Sequence, residues 1–216
     1  MDFSAFKWDY FTFMLHGFGI TLFVAFLSII LAYVLGIFIA LLRYARIPVL
    51  SKVLAVWVDI VRNLPLLLIL FFMYFGLAEM GLDMTPTSAA ITGLVLFESA
   101  LISEIVRSGL TSIPKGQSEA ARSSGLTYVQ TMRYIVLPQA LRRMIPPTVS
   151  QFISLLKDTS LAVIIVLPEL MHSSQIIYNQ NYGITFLVLF TAALMYFAVN
   201  YPLSMLARRL EKKLAN

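Results

Sequence analysis

The stretch GFGITLFVAFLSIILAYVLGIFIALL, residues 17–42, holds no charged side chain. At 1.5 Å per residue a helix of that length crosses a hydrocarbon core of ~30 Å, so the run reads as a transmembrane helix. The pattern recurs along the chain. Residues 53–78 form a second apolar segment, interrupted by Asp59 and Arg62 and carrying Pro65. Residues 86–106 form a third, with Glu98 and Glu104, and residues 145–167 a fourth, with Lys157 and Asp158. Residues 182–207 form a fifth, which is uncharged. The predicted fold is an all-α integral membrane protein of five transmembrane helices, arranged as one domain over residues 1–216.

Composition agrees. The chain is 59% hydrophobic and 12% charged, with a mean hydropathy of +0.84. A soluble domain carries about 25% charge. The absence of cysteine excludes disulfides, thiolate metal sites and thiol nucleophiles. A net charge of +5 in a soluble protein would suggest nucleic acid, but here the charge is distributed as a membrane protein distributes it, and no nucleic-acid partner is expected. Asp2, Lys7 and Asp9 precede the first span and no small-residue cleavage pattern comes after it, so that span reads as retained rather than as a signal peptide.

Flanking charges orient the spans. Arg43, Arg46 and Lys52 come after span one; Arg107, Lys115, Arg122, Arg133, Arg142 and Arg143 lie between spans three and four; four more basic residues close the chain. The opposite connections are poor in Lys and Arg. The positive-inside rule then predicts an outside N-terminus and a cytoplasmic C-terminus. Five spans meet that rule without conflict. Inverted halves are absent, which argues against a self-contained transporter built on repeats. Five helices are also few to enclose a solute path, so a second copy is expected.

The connection over residues 107–143 is polar, basic and too long for a simple turn. Ser118 is placed to cap a helix with Glu119 in its first turn, and Gly125 fits the left-handed position that ends one. Tyr128, Met132 and Ile135 keep helical spacing, and Pro138 and the Pro146-Pro147 pair limit how far that second helix extends. The expectation is helix, glycine turn, helix, lying along the membrane face.

Glu119-Ala120-Ala121, Gly125, Ile135 and Leu137-Pro138 resemble the loop by which permeases of ABC importers dock on their ATPase. Arg62 to Leu67 (RNLPLL), Phe97 to Ala100 (FESA), Ser103 to Gly109 (SEIVRSG), Ile113 to Gln117 (IPKGQ), Leu137 to Ala140 (LPQA) and Leu156 to Leu161 (LKDTSL) resemble the polar amino acid permeases. That is the histidine, glutamine, glutamate and arginine branch of the type I importers, and the likeness runs from about residue 17 to 209. The resemblance implies a multi-pass protein of a prokaryotic cytoplasmic membrane. It implies two permease chains, two ATPase chains that bind the ATP and magnesium, and an extracellular amino-acid-binding protein. Residues 107–143 would then hold a coupling helix. This chain has no Gly-x-x-x-x-Gly-Lys-Ser/Thr loop, so no cofactor is expected in it and it is not expected to be an enzyme.

Ionisable groups deep in a membrane are costly and should face protein, water or solute. Counting 1.5 Å per residue puts Glu98, Lys157 and Asp158 about 18–20 Å along their spans, near the midplane. Gln151, Ser154 and Asp158 share a face, and Ser99 and Ser103 stack on span three beside Glu104. Glu104, Asp158, Glu98, Ser103, Ser154 and Thr159 are the candidate solute-binding residues. Asp59 with Arg62, and Glu98 with Lys157, can alternatively be read as structural ion pairs. Acidic groups outnumber basic ones in spans three and four, which favours a basic amino acid: arginine, lysine or histidine, with the arginine permeases as the best likeness. A glutamine or glutamate permease of the same family is the alternative, and a channel the alternative from another class. A membrane enzyme would need paired catalytic groups, and His16, His172, Glu104 and Asp158 form no such set. A homodimer is favoured, because one chain carries both the loop and the acidic groups.

Overall fold

The computed structural model describes residues 6–215, so Asp2 lies outside the described residues. Eight helices succeed one another: α1 (Trp8–Tyr44), α2 (Leu50–Asn63), α3 (Leu66–Glu79), α4 (Pro86–Thr111), α5 (Lys115–Ser123), α6 (Tyr128–Ile165), α7 (Leu170–Gln180) and α8 (Thr185–Ala215). Of these, α1, α4, α6 and α8 are long and apolar enough to cross a membrane singly. Arg43, Arg46, Arg107 and Lys115 gather at one end of the helices, the basic end.

The largest packing contact joins α1 and α4. Val24 packs with Ala89, Ala90 and Leu94, while Ala32 and Ala40 pack with Ile102 and Val106, so the two helices run in the same direction. Small residues let them approach closely: a Cβ added to Gly36 would lie 2.9 Å from the Ser99 carbonyl oxygen. Helix α6 runs antiparallel to α4, with Met144 against Gly109 at one level and Gln151 bonded to Glu98 at another. Helix α4 begins well, with Pro86 in its first turn and the Thr85 hydroxyl accepting from the Ser88 amide at 3.2 Å.

The second sequence span is not one helix. Pro65 cannot donate a backbone bond and forces Leu64 into an extended conformation (φ −89°, ψ 142°). The chain bends by 103° there, between α2 and α3. Fourteen residues in α2 rise about 21 Å, short of a ~30 Å core, so neither arm crosses alone. The five expected spans become four straight ones and one bent pair.

Three further boundaries differ from the sequence expectation. Helix α5 starts at Lys115 behind Pro114, whose fixed φ suits a helix start, so Ser118 lies inside the helix rather than capping it. The prolines of α6 do not stop it. A π turn over Met132–Val136 precedes Pro138, and the carbonyls freed by Pro146 and Pro147 belong to Arg142 and Arg143, both exposed residues. The second helix of the loop is therefore continuous with span four. Residues 170–180, expected as loop, form α7, which packs on α1 and α8 through Leu170 and Ile177 against Met14, Phe18, Ile184 and Val188.

Candidate functional site

Glu104 on α4 sits among three arginines. Arg43, at the end of α1, donates to its Oε2 at 3.1 Å, Arg107 clasps both carboxylate oxygens from one helical turn on, and Arg62 of α2 stands at 4.0 Å. The parallel packing of α1 and α4 brings Arg43 to this level, and the bend at Pro65 brings Arg62. Arg43 also donates to Ser103 at 3.2 Å. Glu104 and Ser103 are thus both bonded to arginines within the chain. The surplus of acid inferred from spans three and four is reversed locally, because the arginines come from the ends of helices distant in sequence.

Nearer the middle, Glu98 is fully buried. Its Oε2 accepts from the Gln151 side-chain amide at 2.9 Å, and its Oε1 has no hydrogen-bond partner. Asp158 on α6 is half-buried and within electrostatic range of Glu98. Ser154 is half-buried on the same helix. Thr159 is buried and donates to the Leu156 carbonyl at 2.8 Å. Lys157 is exposed; among the described residues neither the Glu98–Lys157 nor the Asp59–Arg62 ion pair is formed. A cleft of about 390 Å³ between α4 and α6 joins the two levels, lined by Arg62, Glu104, Ser108, Arg143 and Gln151 among others. In the sequence Gln151 stands out only as part of a polar stripe; its bond to Glu98 makes it part of the site.

At the basic end, α5 projects Glu119 and Ala120 to solvent and turns Ala121 inward. Gly125 has φ +89°, the left-handed conformation a glycine adopts without penalty. The Leu126 amide bonds back to the Ala121 carbonyl at 3.2 Å and closes the turn. Thr127 and Gln130 then form a reciprocal capping box that starts α6. Ile135 is half-buried and Pro138 exposed. The Arg143 guanidinium donates to the Ser112 carbonyl at 2.6 Å and ties the loop to α6.

The family described as "Binding-protein-dependent transport system inner membrane component" matches residues 32–216. The chain belongs to that family. It is 61% identical over 214 residues to the probable glutamine ABC transporter permease protein GlnP of Bacillus subtilis (strain 168), covering 98% of each. It is 37% identical over 206 residues to the probable glutamine ABC transporter permease protein GlnM of the same organism, covering 95% of each. A solved structure described as an amino acid ABC transporter with histidines matches with a TM-score of 0.92 at 30% identity over 99% of both chains. This chain is therefore the multi-pass membrane subunit of an ABC importer, a class in which a separate subunit hydrolyses ATP.

The permease carries a second buried carboxyl that the sequence did not flag. Glu169 is fully buried at the start of α7, outside the long spans, and caps that helix by accepting from the Met171 and His172 amides at 2.9 and 2.8 Å. Tyr196 of α8 and Thr21 of α1 also point donors at it, at 3.2 and 3.5 Å. The Gly17 Cα passes so close that an added Cβ would lie 2.9 Å from the Glu169 carbonyl oxygen. Burial pushes the Glu169 carboxyl up to about 7, although these bonds favour its charge. A carboxyl whose pKa rises on folding binds more protons in the folded state, so stability falls as pH rises towards that value. The melting temperature of the purified permease is expected to fall as pH rises from 4.5 to about 7. Glu169→Gln loses acceptor capacity, costing about 1–3 kcal/mol, but should flatten that slope; a slope unchanged in the variant would remove Glu169 as its source.

Proposed function

We propose that this permease subunit translocates glutamine, or a polar amino acid like it, rather than a basic one. The 61% identity to a probable glutamine permease over almost the whole of both chains carries the reading. The charges of the site support it. Arg62 and Arg143 line the cleft against one carboxylate, Glu104, which Arg43 and Arg107 also engage, so the cleft carries positive charge, which disfavours a second cation on the solute. Gln151 lines the cleft with its amide held by the buried Glu98, and the half-buried Ser154 and Asp158 lie further along α6; together they supply the mixed donors and acceptors that a zwitterion with an amide side chain uses. Glu104, Ser103 and Thr159 hold the scaffold around that set.

The positive-inside rule orients the basic end to the cytoplasm. Helix α5, with Glu119, Ala120, Ala121 and the Gly125 turn, is then the coupling helix that an ATP-binding subunit grips, Ile135 and Pro138 seating the helix behind it. A solute-binding protein delivers the amino acid on the opposite side. A second permease chain completes the pathway. Two distinct probable glutamine permeases of one organism are both similar to this chain, which favours a related partner over the identical copy expected from the sequence.

The importer, reconstituted with its binding protein and ATPase, is expected to take up glutamine at least about tenfold faster than arginine at equal subsaturating concentration, a difference of about 1.4 kcal/mol. Equal uptake would restore the basic-substrate reading.

A further inference from the structure

Two cavities that share no lining residue with the cleft adjoin at the basic end. The larger, about 760 Å³, is a groove between α1, α4 and α6 with walls such as Ile37, Leu41, Met144, Val149 and Phe152. On α1 its lining runs from Tyr33 to Tyr44, about 17 Å at 1.5 Å per residue. That is about one leaflet of a ~30 Å hydrocarbon core, too short for a spanning helix to fill. The smaller cavity, about 330 Å³, opens where the groove ends and shares Tyr44 and Tyr128 with it. Its other walls are Arg43, Arg46, Arg107 and Thr111. Glu104 satisfies parts of Arg43 and Arg107, and Asp59 acts on Arg107 through space, which still leaves positive charge. Arg46 forms no ion pair among the described residues and is exposed.

We infer that this pair of cavities binds one anionic phospholipid, its acyl chain in the groove and its phosphate among Arg43, Arg46 and Arg107. The length of the groove selects a lipid tail, and the arginines at its mouth select a negative headgroup. The two tyrosines lie at the junction, where amphipathic rings seat between hydrocarbon and water.

Native mass spectrometry of the assembled importer tests this, with phosphatidylglycerol or phosphatidylcholine added in equal amounts. Retention of one phosphatidylglycerol per permease chain, about fivefold or more over phosphatidylcholine, is the expected result. Arg46→Gln should cut that preference about fivefold, and Val149→Phe, which fills the groove, should lower retention of both lipids. Equal retention of the two lipids by the natural chain would overturn the inference. So would displacement of phosphatidylglycerol by millimolar inorganic phosphate, which would make this a site for the free anion. The chain has no cysteine, so Leu141→Cys introduces a single thiol on the groove wall. A crosslink from it to another permease chain would show a protein interface instead.

Discussion

Glu104→Gln is expected to cost the permease about 2–4 kcal/mol and most of its transport activity. Removing one member of a buried ion-pair network leaves its partners unneutralised, which costs about 3–5 kcal/mol when burial is complete. Burial here is partial: the side chain of Arg43 is 9% exposed and that of Glu104 21%, but Arg62 and Arg107 are 37% and 38% exposed. Solvent screening of the outer two arginines lowers the cost accordingly. The loss reaches function because Glu104 fastens the ends of α1 and α2 to α4, so that a tilt of one helix is carried to the others. Thermal unfolding of the detergent-purified importer measures the first effect and reconstituted uptake the second. The double variant Glu104→Gln with Arg43→Gln should regain part of the lost stability, since it removes the most buried unpaired cation. An unaltered melting temperature in the single variant would show that the cluster carries no structural weight.

Ala120→Arg is expected to uncouple the importer without disturbing the permease itself. Ala120 is exposed on α5, so a long side chain there meets no neighbour within the chain. Any effect must come from a partner. A bulky charge at the centre of a docking surface costs about 2 kcal/mol or more, roughly thirtyfold in affinity. The ATPase subunits should co-purify poorly with the variant and amino-acid-stimulated ATP hydrolysis should fall, while its melting temperature stays within a degree or two of the natural chain. Full co-purification would place the docking surface elsewhere.

The straight spans are legible because length and absence of charge are local signals, and residues 17–42 and 182–207 show both plainly, while 86–106 shows the length despite Glu98 and Glu104. The Gly125 turn was legible for a similar reason: a glycine between two helical patterns has few other roles. The Glu104 cluster was not. Its partners Arg43 and Arg62 lie 61 and 42 positions away, and in the sequence they read as loop charges that set orientation. Only the parallel packing of α1 on α4 and the sharp bend at Pro65 bring them in. Helix α7 has only eleven residues and leaves no long apolar run in the sequence. Glu169 with Leu170, Ser174 and Ile177 beyond it does carry a capping residue and a helical stripe, a signal that a search for long apolar runs passes over.

The elbow at Leu64–Pro65 bears on how the chain is made. Helix α2, with Lys52, Asp59 and Arg62, is a poor substrate for the insertion machinery, and α3 is too short to be retained as a membrane anchor. The apolar face of α3 rests on Val24 and Ile39 of α1, already made, but most of its seat is Ala89, Ala90, Leu94, Ala100, Ala162 and Ile165, which emerge later from the ribosome. The bent segment can therefore complete its packing only after the third and fourth spans have been made.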